Sequence, residues 1–211
     1  DWFVRHARRV LHERLVYTHK IWSPSSPDPE ENHAAWRSFR DGCFAEMDAV
    51  LKQQFAEHQS VPKRLRALWA LYAFDGMEAD DLMALFKDRN EHVRAWAIQL
   101  LMNDFRMARG VVASLTEMAE NDKSPLVRLY LASAAQRVPL NSRAPLLKAL
   151  LAHGEDVDDP NLPLMYWYAT EPVVAADPMT GVQLLAVCKL PKVRQFITLR
   201  MATGREASEP E

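Results

Sequence analysis

Cysteine is scarce. Cys43 and Cys188 are the only two in 211 residues, and neither has a partner at metal or redox spacing. Two separate buried thiols are the expectation. The seven histidines add no metal pattern: His6 and His12 lie six apart on different helix faces, and His19, His33, His58, His92 and His153 are scattered. Without His-x-x-x-His or Cys-x-x-Cys there is no preformed zinc site. Cys43 is followed by Phe44 and Cys188 by Lys189, so a Cys-x-x-Cys-His haem attachment is missing too. Glycine is sparse too, at six residues, hairpin dipeptides are few and no stretch alternates apolar with polar, which excludes a sheet protein. No run approaches the roughly 18 apolar residues that span a bilayer. Asp1-Trp-Phe-Val-Arg5 lacks the charged start, apolar run and cleavage site of a signal peptide. A net charge of −2 gives no global reason to expect nucleic acid or an acidic membrane as partner.

What the chain does have is enough apolar residue, 48% against 26% charged, to fold rather than stay disordered. Those residues are arranged at helical spacing. In Asp88-Arg-Asn-Glu-His-Val-Arg-Ala-Trp-Ala-Ile-Gln-Leu-Leu101, Val93, Trp96, Ala97, Leu100 and Leu101 form one stripe of a helix. The pattern is written again at Asp122-Lys-Ser-Pro-Leu-Val-Arg-Leu-Tyr-Leu-Ala-Ser-Ala-Ala135, through Val127, Tyr130, Leu131, Ala134 and Ala135. Each stretch places an Asp six residues before an Arg. A helix written twice in tandem points to a repeat protein.

Taken in order, residues 2 to 17 are expected to form a helix, with Val4, Ala7, Leu11 and Leu15 on one side. A Pro-rich loop follows, about 22–31, and then a long helix from about Asn32 to His58. Arg64 to Tyr72 opens the repeating kind, striped by Leu65, Leu68, Trp69 and Tyr72, and Asp75-Gly76 closes it with a Gly suited to a left-handed cap. Short helices near Glu78–Phe86, Arg109–Glu120, Leu146–Leu151 and Thr180–Cys188 lead into the longer members of each pair. Taking Leu65, Val93, Val127, Leu164 and Val193 as equivalent, the steps are 28, 34, 37 and 29 residues, the range of two-helix repeats. The expected fold is all-α: a HEAT-like, armadillo-like α-solenoid, or α-α superhelix, of about five to six helix pairs. It forms one domain over 1–203 with a polar tail or linker at 204–211. One pair cannot bury its apolar face alone, so pairs stack into a common core. The large stripe residues Trp69, Trp96, Tyr130, Trp167 and Phe196 are expected inside, each beside a smaller one that lets layers interdigitate.

The candidate chemistry is weighed against that architecture. Asp88…Arg94 and Asp122…Arg128 fit carboxylates that satisfy turn amides or meet an Arg along the stack, which is a structural role. Glu171 falls at the inward position occupied by Leu100 and Ala134, and Arg200 falls at the matching position of the next copy. The two are expected to meet between repeats, helped by Tyr168, since burying either alone would cost on the order of 3–5 kcal/mol. The loop His153-Gly-Glu-Asp-Val-Asp-Asp159 concentrates four carboxylates but lacks the ordered ligand set of a calcium loop. It is expected to be solvated, with Asp159 capping the next helix. The first twenty residues are net +3 through Arg5, Arg8, Arg9, Arg14 and Lys20, yet the aromatics sit in stripes rather than where they could stack on bases.

Several of these segments carry a family likeness: Arg5-His-Ala-Arg-Arg-Val-Leu11, Leu65-Arg-Ala-Leu-Trp-Ala-Leu71 and Val93-Arg-Ala-Trp-Ala97. More specific are Ser124-Pro-Leu-Val-Arg-Leu-Tyr-Leu-Ala-Ser-Ala-Ala-Gln-Arg-Val-Pro139 and Asn161-Leu-Pro-Leu-Met-Tyr-Trp-Tyr-Ala-Thr-Glu-Pro172. Together they resemble the helical-repeat region of the planctomycete-type membrane-bound dehydrogenases, also called haem-binding proteins. The likeness covers most of the chain except the Pro-rich loop and the tail. It implies a middle piece between a β-propeller dehydrogenase-like domain and a cytochrome c-type haem domain, in an extracytoplasmic or membrane-associated setting. The haem c would belong to the parent protein; no cofactor, metal or catalytic position carries over to this fragment. The fourth copy departs from the pattern, with Met165 where Arg94 and Arg128 stand.

The expected function is therefore that of a non-catalytic scaffold and protein–protein interaction domain. Its partners would be flanking domains of the same polypeptide or another protein, with no nucleic acid and no membrane insertion. The competing expectation is an all-α enzyme such as a helical-repeat DNA-repair glycosylase. A cleft with exposed Trp or Tyr beside a carboxylate and a basic rim would mark that alternative.

Overall fold

A computed structural model of the chain describes residues 29–73, 76–103 and 110–203. Among them every regular element is helical, and no strand occurs. The helix expected over 2–17, its arginines, most of the Pro-rich loop, Asp75 and the tail at 204–211 lie outside the described residues. So does the side chain of Cys43. The single domain expected over 1–203 is drawn as two compact units, divided between Glu78 and Ala79.

The first unit is a helix pair, α1 (Pro29–Glu57) packed on α2 (Val61–Ala73). Helix α1 begins at Pro29, three residues earlier than expected, because proline is tolerated in a first turn. It is interrupted at Phe44 (φ −132°, ψ 15°), which breaks the one long helix of the sequence reading. Leu65, Leu68 and Leu71 of α2 are buried. Gly76 corrects an expectation, since it has no left-handed φ. Its role is close approach: a Cβ there would sit 3.1 Å from Asp48 Oδ1 and 3.2 Å from the Leu71 carbonyl.

Among its described residues the second unit has eight helices: α3 (Ala79–Ala84), α4 (Glu91–Asn103), α5 (Val111–Asn121), α6 (Pro125–Ala135), α7 (Leu140–Leu151), α8 (Leu162–Ala176), α9 (Pro178–Val187) and α10 (Pro191–Thr203). Short 3₁₀ turns at Leu85–Lys87 and Gly154–Asp156 precede α4 and α8. One set of alternate helices packs in sequence, α4 on α6, α6 on α8 and α8 on α10. The other set does likewise, α5 on α7 and α7 on α9. Helices α4, α6 and α8 are thereby covered on more than one side. Both Val93 and Ile98 of α4, and both Val127 and Ala132 of α6, are buried to 1% exposure or less. Gly110 (φ 91°) starts α5, in a conformation other residues adopt only at a cost.

The stripe residues Val93, Ala97, Val127, Leu131 and Ala135 are fully buried, but the aromatics of the same stripes are not. Trp69, Trp96, Tyr130, Trp167 and Phe196 are all half-buried, which corrects the expectation that they fill the core. Trp96, Tyr130, Trp167 and Phe196 are i+3 residues, which lie to one side of the line through i and i+4, so their rings reach the seam between neighbouring helices. Trp96 meets Tyr130 with centroids 6.4 Å apart, and Trp167 meets Phe196 at 5.4 Å, both tilted. No described helix is long and apolar enough to cross a membrane.

Candidate functional site

The polar residues singled out in the sequence form a chain of bonds along α4, α6 and α8. Asp88 and Asp122 each fold the turn before a helix, accepting from Asn90 N (2.8 Å) and Ser124 N (3.0 Å). Within each stretch the Arg meets the Asp main chain rather than its carboxylate: Arg94 Nη1 donates to Asp88 O (2.9 Å) and Arg128 Nη1 to Asp122 O (3.1 Å). The carboxylate contact runs to the next turn. Arg94 donates through Nε and Nη2 to both oxygens of Asp122, at 2.7 and 2.9 Å. Arg128 grips Asp156 in the same two-pronged way. Fork-to-fork contacts of this kind are among the strongest protein hydrogen bonds.

Asp156 corrects the solvated-loop expectation. It is 2% exposed, and Tyr166 Oη also donates to it at 2.6 Å. Burial and then the Asp156 carboxylate hold the Tyr166 hydroxyl well above its ordinary range. The signal was in the spacing, since Asp156 follows Asp122 by the interval that separates Asp122 from Asp88. Its neighbours in the loop behave as a surface turn. Asp159 Oδ1 accepts from Asn161 N and Leu162 N, both at 2.8 Å, at the start of α8. Glu155 is held below the usual carboxylate range chiefly by its bond from His153.

Other cations bond main-chain carbonyls, most of them at or just past helix C-termini, where carbonyls lack partners. Arg143 is buried, and among the described residues no carboxylate meets it. It donates to the carbonyls of Val138, Gln136 and Ala169, and burial lowers its pKa. Arg137 Nη1 reaches Met102 O (2.6 Å), and His153 Nε2 meets Ala119 O (2.6 Å). None of these three was singled out in the sequence, because their acceptors are main-chain atoms that leave no side-chain pattern.

Glu171 and Arg200 do meet, with Arg200 Nε 2.7 Å from Glu171 Oε1. Their side chains are 37% and 35% exposed, so the pair lies at the surface and not at an inward position. The burial cost attached to it does not arise, and a pair so exposed is worth about 0–1 kcal/mol. Tyr168 is 54% exposed and lines a neighbouring groove instead. The departure at Met165 has a physical counterpart. Where α4 and α6 offer an Arg, α8 offers Met165, and the turn before α10 carries Cys188 in place of an Asp. Both halves of the bond are replaced, and Glu171–Arg200 joins α8 to α10 from outside.

The groove encloses about 580 Å³ across α4, α6 and α8. Tyr130, Leu164, Met165 and Tyr168 supply its apolar surface, and Gln99 and Asn161 its amides. No lining residue is charged. A second hollow of about 790 Å³ runs beside Lys87, Asp88, Arg94, Glu117, Asp122 and Lys123, with charges of both signs and Arg94 already engaged by Asp122. Among the described residues no three His, Cys, Asp or Glu side chains group to hold a metal. Both ring nitrogens of His153 are engaged, and Cys188 is buried with its thiol pushed up by desolvation. No family model matches the chain, and no curated protein or solved structure is significantly similar to it.

Proposed function

We propose that the chain is a HEAT-like α-solenoid acting as a non-catalytic scaffold. It would be one segment of a larger membrane-associated dehydrogenase or haem-binding protein, with the flanking domains of that polypeptide as its partners. The observation that carries this is the recurrence of one bonding unit: Asp-folded turn, Arg to the Asp carbonyl, Arg fork to the next Asp. A unit that bonds only to its neighbour builds a stack, and a stack offers a broad surface suited to holding domains at fixed separation. Those carboxylates and guanidinium groups are spent on each other, which leaves them no part in acid–base chemistry.

The glycosylase-like alternative has one feature on its side, the exposed Tyr168 in an aromatic groove. Its acid is missing, since neither a carboxylate nor a base lines that groove. The test is a calorimetric titration of the purified chain with the separately expressed propeller-like and haem domains of the longer polypeptide, alongside an assay for base release from damaged duplex DNA. Saturable binding to at least one domain and no base release are expected. Base release, or no binding to either domain, overturns the proposal.

A further inference from the structure

Arg194 repeats half of the bonding unit. Its Nη1 donates to Cys188 O, six residues back, at 3.0 Å, as Arg94 does to Asp88 and Arg128 to Asp122. A second bond to Leu185 O (2.7 Å) fixes the guanidinium against the end of α9. In Arg94 and Arg128 the remaining edge, Nε with Nη2, is filled by a carboxylate 28 residues further on. In Arg194 no carboxylate among the described residues meets that edge, and the residue is exposed. A planar two-donor edge held in a fixed pose is the geometry that recognises a carboxylate.

The surface around it is also uncovered in a way its counterparts are not. Thr198 is exposed on α10, whereas the equivalent Ile98, Ala132 and Ala169 are at most 1% exposed. Gln195 is exposed where Ala95 and Tyr166 are buried. In α4 and α6 the arginine at this position is met by a carboxylate 28 residues on. Met165 replaces it in α8, where the next turn offers Cys188.

We propose that α10 receives a further helix pair, the next one in the longer polypeptide, whose leading turn sets an aspartate carboxylate on Nε and Nη2 of Arg194. This rests on the scaffold proposal and names the surface at which the stack continues. Gln195 and Thr198 make the contact more polar than those between α4, α6 and α8, so the carboxylate carries more of its specificity.

The test compares urea midpoints of the chain 1–211 and of the same chain continued through the next roughly 40 residues, the length of one such pair. Each is made with Arg194 and with Arg194→Met. The substitution is expected to lower the midpoint of the longer chain and to move that of 1–211 much less. Exchanging the charges, Arg194→Asp together with the downstream Asp→Arg, is expected to restore the longer chain. Equal shifts in both chains would mean that Arg194 serves only the α9 carbonyls, and would overturn the proposal. So would the lack of any carboxylate near the position 28 residues on, or a concentration-dependent dimer of 1–211 that Arg194→Met abolishes. If the flanking domains still bind while these results fail, the scaffold proposal stands and only the docking of a further pair falls.

Discussion

Asp156 has the most to lose from substitution. Its carboxylate holds two donors, Arg128 and Tyr166, all three of them nearly sealed from solvent. Asp156→Ala would leave a buried guanidinium unpaired, and a loss of about 3–5 kcal/mol is expected from urea unfolding at constant m-value. Glu171→Gln cuts an ion pair of similar length at the surface and is expected to cost no more than about 1 kcal/mol by the same measurement. The contrast separates a bond buried between helices from one made at the surface. Tyr166 adds a pH signature. Its folded-state pKa is raised, so the protonated hydroxyl favours the native state. That contribution is complete below the unfolded tyrosine value of about 10 and is lost as pH climbs above it. Tyr166→Phe is expected to flatten the alkaline limb of a stability–pH curve, and an unchanged limb would show that another group governs it. At this scale the sequence displayed the Asp and Arg of each unit but not their partners. Pairing across 28 residues is invisible until the helices are packed, and Arg143 is invisible altogether because carbonyls have no residue type.

At the scale of elements, helix starts are where turn chemistry and inter-helix bonds coincide. Ser124 caps α6 by accepting from Val127 N, and its hydroxyl also donates to Glu91 at the start of α4. Ser124→Ala removes a cap and a tie between two helices at once, with an expected cost of about 1–2 kcal/mol in thermal unfolding. A loss no larger than a few tenths would mean the Glu91 contact contributes nothing. Most helices were legible from the 3.6-residue stripe, because Val93, Ala97, Val127 and Leu131 face the core as their spacing requires. The stripe misplaced the aromatics, since period alone cannot distinguish the centre of a buried face from its edge. It also missed the break at Phe44, and it set no end for α8, which runs through Pro172 to Ala176. A proline omits one donor without ending a helix that is packed on several sides.

Helices α4, α6, α8 and α10 are joined by side-chain bonds that recur at a fixed interval, then change kind at Met165 and Glu171. The all-helical class was legible from composition and period. The division at Glu78 was not, because the stripe of α2 has the same spacing as those of α4 and α6. The central claim is that the second unit is a stack whose members depend mainly on their neighbours, as a scaffold of the proposed kind requires. Native-state hydrogen exchange on Asp156→Asn tests this most directly. Loss of protection is predicted to be greatest in α6, α7 and α8, which surround the severed bond, and to diminish toward α3 and α4. An equal loss in every helix from α3 to α10 would show one indivisible core and contradict the stack.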